Sequence, residues 1–271
     1  MHTEGINSRR DKIFEYIVES YIETAEPVGS RSLSKQYDLG LSPASIRTVM
    51  ADLEEQGYLK QPHTSAGRVP TDKGYRYYVD SLMEKEELPL RQKKWIREEI
   101  LRVKTIEGMV GRVSKIISEL TANAALIYIR SLRRVSFLNY LLEELVEAEK
   151  LMDFFEEEPE LFIEGTFRIF EQPEFQNARK IRLLLQAFDE KYGLFQILSK
   201  DLEEEGVHVH IGTENSMDQL EDVSLVVKDC YLGGMPIGGV AVVGPTRMRY
   251  SKVMAVVDCV ADGMSEVAER L

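Results

Sequence analysis

A chain of 271 residues with 44% hydrophobic and 30% charged side chains fits a soluble globular protein of about two domains. No apolar run reaches the roughly 18 residues that span a bilayer, and the start MHTEGINSRR lacks the apolar core of a signal peptide. The formal net charge of −12 argues at first against a nucleic-acid partner, but residues 1–85 carry 11 Lys and Arg against 13 Asp and Glu, so most of the acidic excess lies downstream. A DNA-binding domain needs a local basic face, not a basic protein. Cys230 and Cys259 form no CxxC motif and no disulfide framework, and read as reduced thiols of a cytoplasmic protein.

Residues 8–24 (SRRDKIFEYIVESYIET) place Ile13, Ile17, Val18 and Tyr21 at helical spacing and predict an amphipathic helix capped by Asn7 or Ser8. Pro27, Val28 and Gly29 stop it. Ser30 is expected to cap a short helix over residues 31–37, with Leu33 facing inward. Residues 38–41 (DLGL) make a turn in which Gly40 supplies conformational freedom. Ser42 then stands at the N-cap of a third helix, and Pro43 at its first position, where the missing N–H costs nothing. Ile46, Val49, Met50 and Leu53 share the inner face, while Ser42, Ala44, Ser45, Arg47 and Thr48 share the outer face near the N-terminus. From that end helix-turn-helix proteins reach base edges. Short side chains admit the backbone to the groove, and Arg47 can reach a guanine edge or a phosphate. By pattern alone, DNA binding is one reading and a protein-binding trihelical module is another.

After Gly57, extended segments on either side of a polar, Gly-containing tip predict a β-hairpin wing over residues 58–70. It offers His63, Thr64, Ser65 and Arg68 for phosphate or minor-groove contacts. His63 has no Cys or His at ligand spacing, so no metal is expected there. Thr71 and Asp72 are expected to cap a helix over residues 73–83 that carries Lys73 and Arg76. Its tyrosines, Tyr75, Tyr77 and Tyr78, read as packing. The candidate DNA-binding set is Ser30, Arg31, Ser42, Ala44, Ser45, Arg47, Thr48, His63, Ser65, Arg68, Lys73 and Arg76.

The charged stretch EKEELP ends this domain, which gives boundaries of 1–88, a connecting helix over 89–121 and a second domain over 122–271. The pattern over residues 90–121 reads as one long helix. Its seam of Val103, Ile106, Val110, Val113, Ile117 and Leu120 suits either self-association or packing on its own domain. Residues 124–129 (AALIYI) read as a strand, 138–155 as a Glu-rich helix, 162–165 as a turn-like element, 173–188 and 194–202 as helices, and 207–211 as a strand. His208 and His210 share one face of that strand and read as exposed residues, since no third metal ligand is evident. Residues 224–231 and 237–243 predict antiparallel strands around Gly233 and Gly234, and 251–270 a closing helix. This is an α+β fold. Residues 244–248 (GPTRM) sit where an anion-binding loop would, but lack the Lys and second Gly of a P-loop and read as a structural turn. With no nucleophile–base pair, ligand set or phosphate loop, the chain is expected not to be an enzyme and to need no cofactor.

The run SPASIRTVMADLEEQGYLKQPHTSAGRVPTDKGYRYYVDSLM (residues 42–83), with EPVGSRSL before it, resembles the HrcA family of bacterial heat-inducible transcription repressors. LFIEGTFRIFEQPEF (161–175), IGTENSMDQLEDVSLV (211–226) and GGVAVVGPTRMRYSKV (238–253) carry the resemblance through most of the chain. It implies an N-terminal winged helix-turn-helix domain followed by a GAF-like α/β domain. It also implies a homodimer that binds an inverted-repeat operator upstream of chaperone operons of the groE and dnaK type. The GroE chaperonin would promote the active form, so that unfolded protein titrating GroE relieves repression. GAF folds often bind small ligands, which leaves a ligand-sensing regulator as an alternative beside the adaptor, but none is implied here. Family members carry further strands and an inserted dimerisation domain between the strand at 124–129 and residue 161. In this chain only about thirty residues lie there, including Arg130, Arg133 and Arg134, so the inserted segment is shortened.

Overall fold

The computed structural model describes residues 2–37, 39–129, 160–199 and 205–269. It divides into two compact units, one of residues 1–85 with 246–251 and one of residues 86–245 with 252–271. Helix and sheet are mixed, as the α+β expectation requires. The helix expected over 138–155 and the basic cluster at 130–134 lie outside the described residues.

In the first unit, helices α1 (His2–Thr24), α2 (Ser30–Gln36) and α3 (Pro43–Glu55) precede an antiparallel hairpin of β1 (Leu59–Lys60) and β2 (Val69–Pro70), and then helix α4 (Asp72–Tyr77). The apolar spacing read from the sequence becomes the core. Ile13, Phe14, Ile17 and Val18 of α1, Leu33 of α2, and Ile46, Met50 and Leu53 of α3 are buried, as are Leu59 and Tyr75. Each such side chain contributes about 1.5–3 kcal/mol, which holds helices too short to persist alone. Ser42 caps α3 as expected, its Oγ accepting the Ser45 N–H at 3.1 Å, with Pro43 in the first turn. Thr71 caps α4 in the same way, accepting the Gly74 N–H at 3.1 Å. Three local expectations change. α1 already begins at His2, so neither Asn7 nor Ser8 is its N-cap. Gly29, not Ser30, is the N-cap of α2, and Ser30 is its first helical residue. The helix expected over 73–83 keeps α geometry only to Tyr77 and continues as a π turn, Tyr78–Leu82.

The second unit is built on a five-stranded antiparallel sheet of order β4-β3-β7-β6-β5. Its strands are β3 (Ala124–Ile129), β4 (Glu160–Glu164), β5 (His208–Ile211), β6 (Val223–Leu232) and β7 (Met235–Pro245). Ala124, Leu126, Tyr128, Leu225, Val227, Ala241 and Val243 pack on one face against α7 (Thr166–Phe170), α8 (Ala178–Asp189) and α9 (Lys191–Leu198), through Ile169, Leu184, Phe188, Leu194 and Ile197. The alternate residues face the opposite layer of α5 (Leu90–Leu101), α6 (Ile106–Thr121) and α10 (Tyr250–Ala268). There Lys228 of β6 bonds Asp258 and Asp262 of α10 at 2.7 and 2.6 Å, and Arg97 of α5 pairs with Glu266. Burial on both faces explains why these strands read as nearly continuous apolar runs.

The single helix expected over 90–121 is two helices. Residues 102–105 break it, and Thr105 caps α6 by accepting the Gly108 N–H at 3.1 Å. Val110, Val113 and Ile117 of the expected seam are buried, so they pack within this unit rather than remaining free for a second copy. Residues 160–164 form the edge strand β4, not a turn, because they pair in register with 125–129. The helix expected over 173–188 is a 3-10 turn, Pro173–Phe175, and then α8, capped by Asn177. His208 and His210 are half-buried in β5 rather than exposed.

Candidate nucleic-acid interface

The outer face of α3 is open at its N-terminal end. Ser42, Ala44, Ser45, Arg47 and Thr48 are all exposed, while Ile46 and Met50 on the inner face are buried. The small groups are partly tied to the helix itself. Ser42 and Ser45 hydroxyls lie 3.0 Å apart, and Thr48 Oγ1 donates to the Ala44 carbonyl at 3.3 Å. Arg47 is different: among the described residues it has no ion pair and no side-chain hydrogen bond, so its five N–H donors are available to an outside acceptor. Arg31, on α2, is likewise exposed and unpaired among the described residues.

The hairpin tip exposes His63 and Ser65. Its shape is set by Gln61, whose Nε2 donates to the Thr64 and Ala66 carbonyls at 3.1 and 3.0 Å. The return strand is fastened on the other side, since Val28 and Arg68 exchange two backbone hydrogen bonds of 2.9 Å. That approach needs Gly67, where a Cβ would stand 2.4 Å from the Val28 carbonyl group.

The remaining candidate residues are buried or engaged with other groups of the first unit. Ser30 is buried, with 7% exposure, at the start of α2. Arg68 pairs with Glu54 of α3 at 2.7 Å. Lys73 Nζ donates to the Gln56 carbonyl at 2.9 Å and lies 4.6 Å from the centre of the Tyr58 ring. Arg76 pairs with Asp80 at 3.1 Å. Cation type and position on the hairpin or the following helix pointed to these three, but their carboxylate and carbonyl partners are made by folding. Further exposed cations lie outside the candidate set, among them one on α2 and one on the hairpin. Lys35 of α2 and Lys60 of β1 have no ion pair among the described residues, and the only sequence signal for Lys60 is the buried–exposed alternation with Leu59.

The loop at 244–248 is structural. Thr246–Ser251 belongs to the first unit, where Arg247 Nη1 donates to the Ile22 carbonyl at 3.1 Å and Tyr250 is buried against Tyr75.

A family model for the HrcA protein C-terminal domain matches residues 133–254. The heat-inducible transcription repressor HrcA of Desulforamulus reducens is 31% identical, over 98% of both chains. That of Desulforudis audaxviator is 34% identical, over 98% of this chain and 99% of its own. The chain belongs to the HrcA family. The HrcA relatives are transcription repressors by name, not enzymes. A crystal structure of a hypothetical protein shares the fold, with a TM-score of 0.71 at 22% identity over 97% of this chain and 99% of the other. The alignment with the Desulforamulus HrcA runs over 340 positions and this chain has 271 residues, so at least 69 positions are empty in it.

Proposed function

We propose that this protein is a sequence-specific DNA-binding repressor of heat-shock chaperone operons, acting in the cytoplasm. In this reading α1–α3 with the β1–β2 hairpin are a winged helix-turn-helix domain. α3 enters the major groove by its N-terminal end, and Arg47 reads a base edge there. Arg31 and the tip residues His63 and Ser65 meet the DNA backbone, which positions the reader without carrying sequence information. The second unit is the GAF-like domain of the family, and two copies of the chain meet the halves of an inverted repeat. Occupancy of the promoter then suffices for repression, with no chemistry. GroE would favour the binding-competent form, so that its engagement by unfolded protein releases the operon.

The observation that carries this reading is the exposed N-terminal face of α3, where small side chains surround one unpaired Arg47, in a chain of the HrcA family. The test is a gel shift with an inverted-repeat duplex from a chaperone promoter, a half-site duplex and a scrambled duplex, at two salt concentrations, with and without GroE. The reading expects retention of the inverted repeat well above the scrambled duplex, strengthened by GroE. Equal affinity for the scrambled duplex would end the operator reading, and no response to GroE would end the chaperonin part alone.

A further inference from the structure

The hairpin carries two cations with opposite fates. Arg68 is at its base, with its backbone bonded on both sides to Val28 and its guanidinium against Glu54 in the last turn of α3. The Arg68 side chain is 20% exposed, and its Nε is closed off from solvent without a partner in the protein. Glu54 needs this neighbour, because a carboxylate at the C-terminal end of a helix faces the negative end of the helix dipole. Lys73 serves the same helix end through the Gln56 carbonyl. Lys60 stands on β1 beside buried Leu59, points to solvent, and meets no carboxylate among the described residues.

We propose that Glu54 and Arg68 are positioning residues, an internal brace that fixes the hairpin on the C-terminal end of α3, and that the hairpin's cation for a DNA phosphate is Lys60. The proposal rests on the DNA-reading function above. The brace sets the distance between the two parts that must meet one duplex, the N-terminal end of α3 and the hairpin. A loose hairpin would cost discrimination between sequences more than it costs charge attraction. Releasing Arg68 to a phosphate would leave Glu54 unpaired beside that same phosphate, so attraction and repulsion would largely cancel.

The experiment uses the full chain and a duplex that the wild-type chain selects from a random-sequence library, with a scrambled duplex of equal length as comparison. Binding is measured by fluorescence polarisation over a range of salt, and folding of every variant by thermal unfolding. E54Q and R68M are each expected to weaken the selected duplex about tenfold and the scrambled one less than about twofold, with the salt slope unchanged. The charge swap, E54R with R68E, is expected to recover most of the lost discrimination, because it restores the pair in reverse. K60Q is expected to weaken both duplexes by the same factor and to reduce the salt slope by about 0.9, the loss of one phosphate contact. The proposal is overturned if E54Q tightens binding to both duplexes, if R68M lowers the salt slope, or if the swap recovers nothing. If the wild-type chain selects no duplex, the DNA reading has failed. The brace is then still decided by unfolding, through the coupling between the two single variants and the double variant E54Q with R68M.

Discussion

At the scale of single residues, local chemistry and tertiary pairing decide different things. Ser42, Pro43 and Thr71 act where their type and position placed them, because a cap is satisfied by an N–H three residues away. Arg47 follows the same logic. Arg47→Ala is expected to cost about 1–3 kcal/mol on the selected duplex and to flatten the preference among base substitutions at one position. A uniform loss over all sequences would make it a phosphate contact. Gly74 shows what local chemistry leaves out. A Cβ there would stand 2.3 Å from the Tyr58 carbonyl oxygen and 3.2 Å from the Phe14 ring, both parts of a packed core. Gly74→Ala is expected to destabilise the first unit by about 2 kcal/mol or more, seen as a lower unfolding midpoint. An unchanged midpoint would mean that the Tyr58 carbonyl can move away from α4 without cost. The burial of Ser30 and the partners of Arg68 and Lys73 have the same origin, since they come from residues distant in sequence.

At the scale of elements, Glu99 ties α5 to α6 across the break between them. Its buried carboxylate pairs with Arg112 of α6 and with Arg102 at 2.7 Å. The Arg102 side chain is 71% exposed and that of Arg112 36%. Arg112→Met is therefore expected to cost about 1–2 kcal/mol, and Arg102→Met under about 0.5 kcal/mol, in denaturant unfolding. Equal costs would show that Glu99 does not tie the two helices. In the sheet, Tyr128 of β3 crosses Gly239 of β7, where a Cβ would stand 2.5 Å from the tyrosine ring. Beyond it the hydroxyl meets Asp229 of β6 and lies 3.4 Å from the Leu198 carbonyl oxygen. One hydroxyl proton faces two acceptors, so a protonated Asp229 completes the set by donating to the tyrosine oxygen. Burial pushes the Asp229 carboxyl from 3.8 up to about 7. Between those values the folded chain holds a proton that the unfolded chain has released. This contribution to stability is thus present below 3.8 and is lost as pH rises through about 7. Asp229→Asn is expected to have an unfolding midpoint above wild type at pH 8, with a smaller difference at pH 5. A difference that does not change with pH would exclude Asp229 as the titrating group.

At the scale of the whole molecule, charge and copy number limit how DNA can be bound. With 34 Lys and Arg against 46 Asp and Glu, the proposed attraction to DNA would rest on a few placed cations, Arg31, Lys35, Arg47 and Lys60 among them, working against an acidic remainder. Such binding weakens steeply with salt. Reading two half-sites also needs two copies. Light scattering is expected to give twice the chain mass of 31.0 kDa, although at least 69 aligned positions of a relative are missing from this chain. A mass of one chain at the concentration of the gel shift would sink the dimer while leaving half-site binding open. The sequence by itself determined the periodic apolar faces of α1 and α3, the caps Ser42 and Thr71, strands β3, β6 and β7, and the family. All of these depend on neighbours within a few residues or on matched strings. Only the tertiary structure decided that Ser30 is buried, that β4 is a strand, that the long helix is two, and which cations remain free. Burial, strand pairing and ion pairing are satisfied by groups that folding brings together from distant parts of the chain, and no local pattern records them.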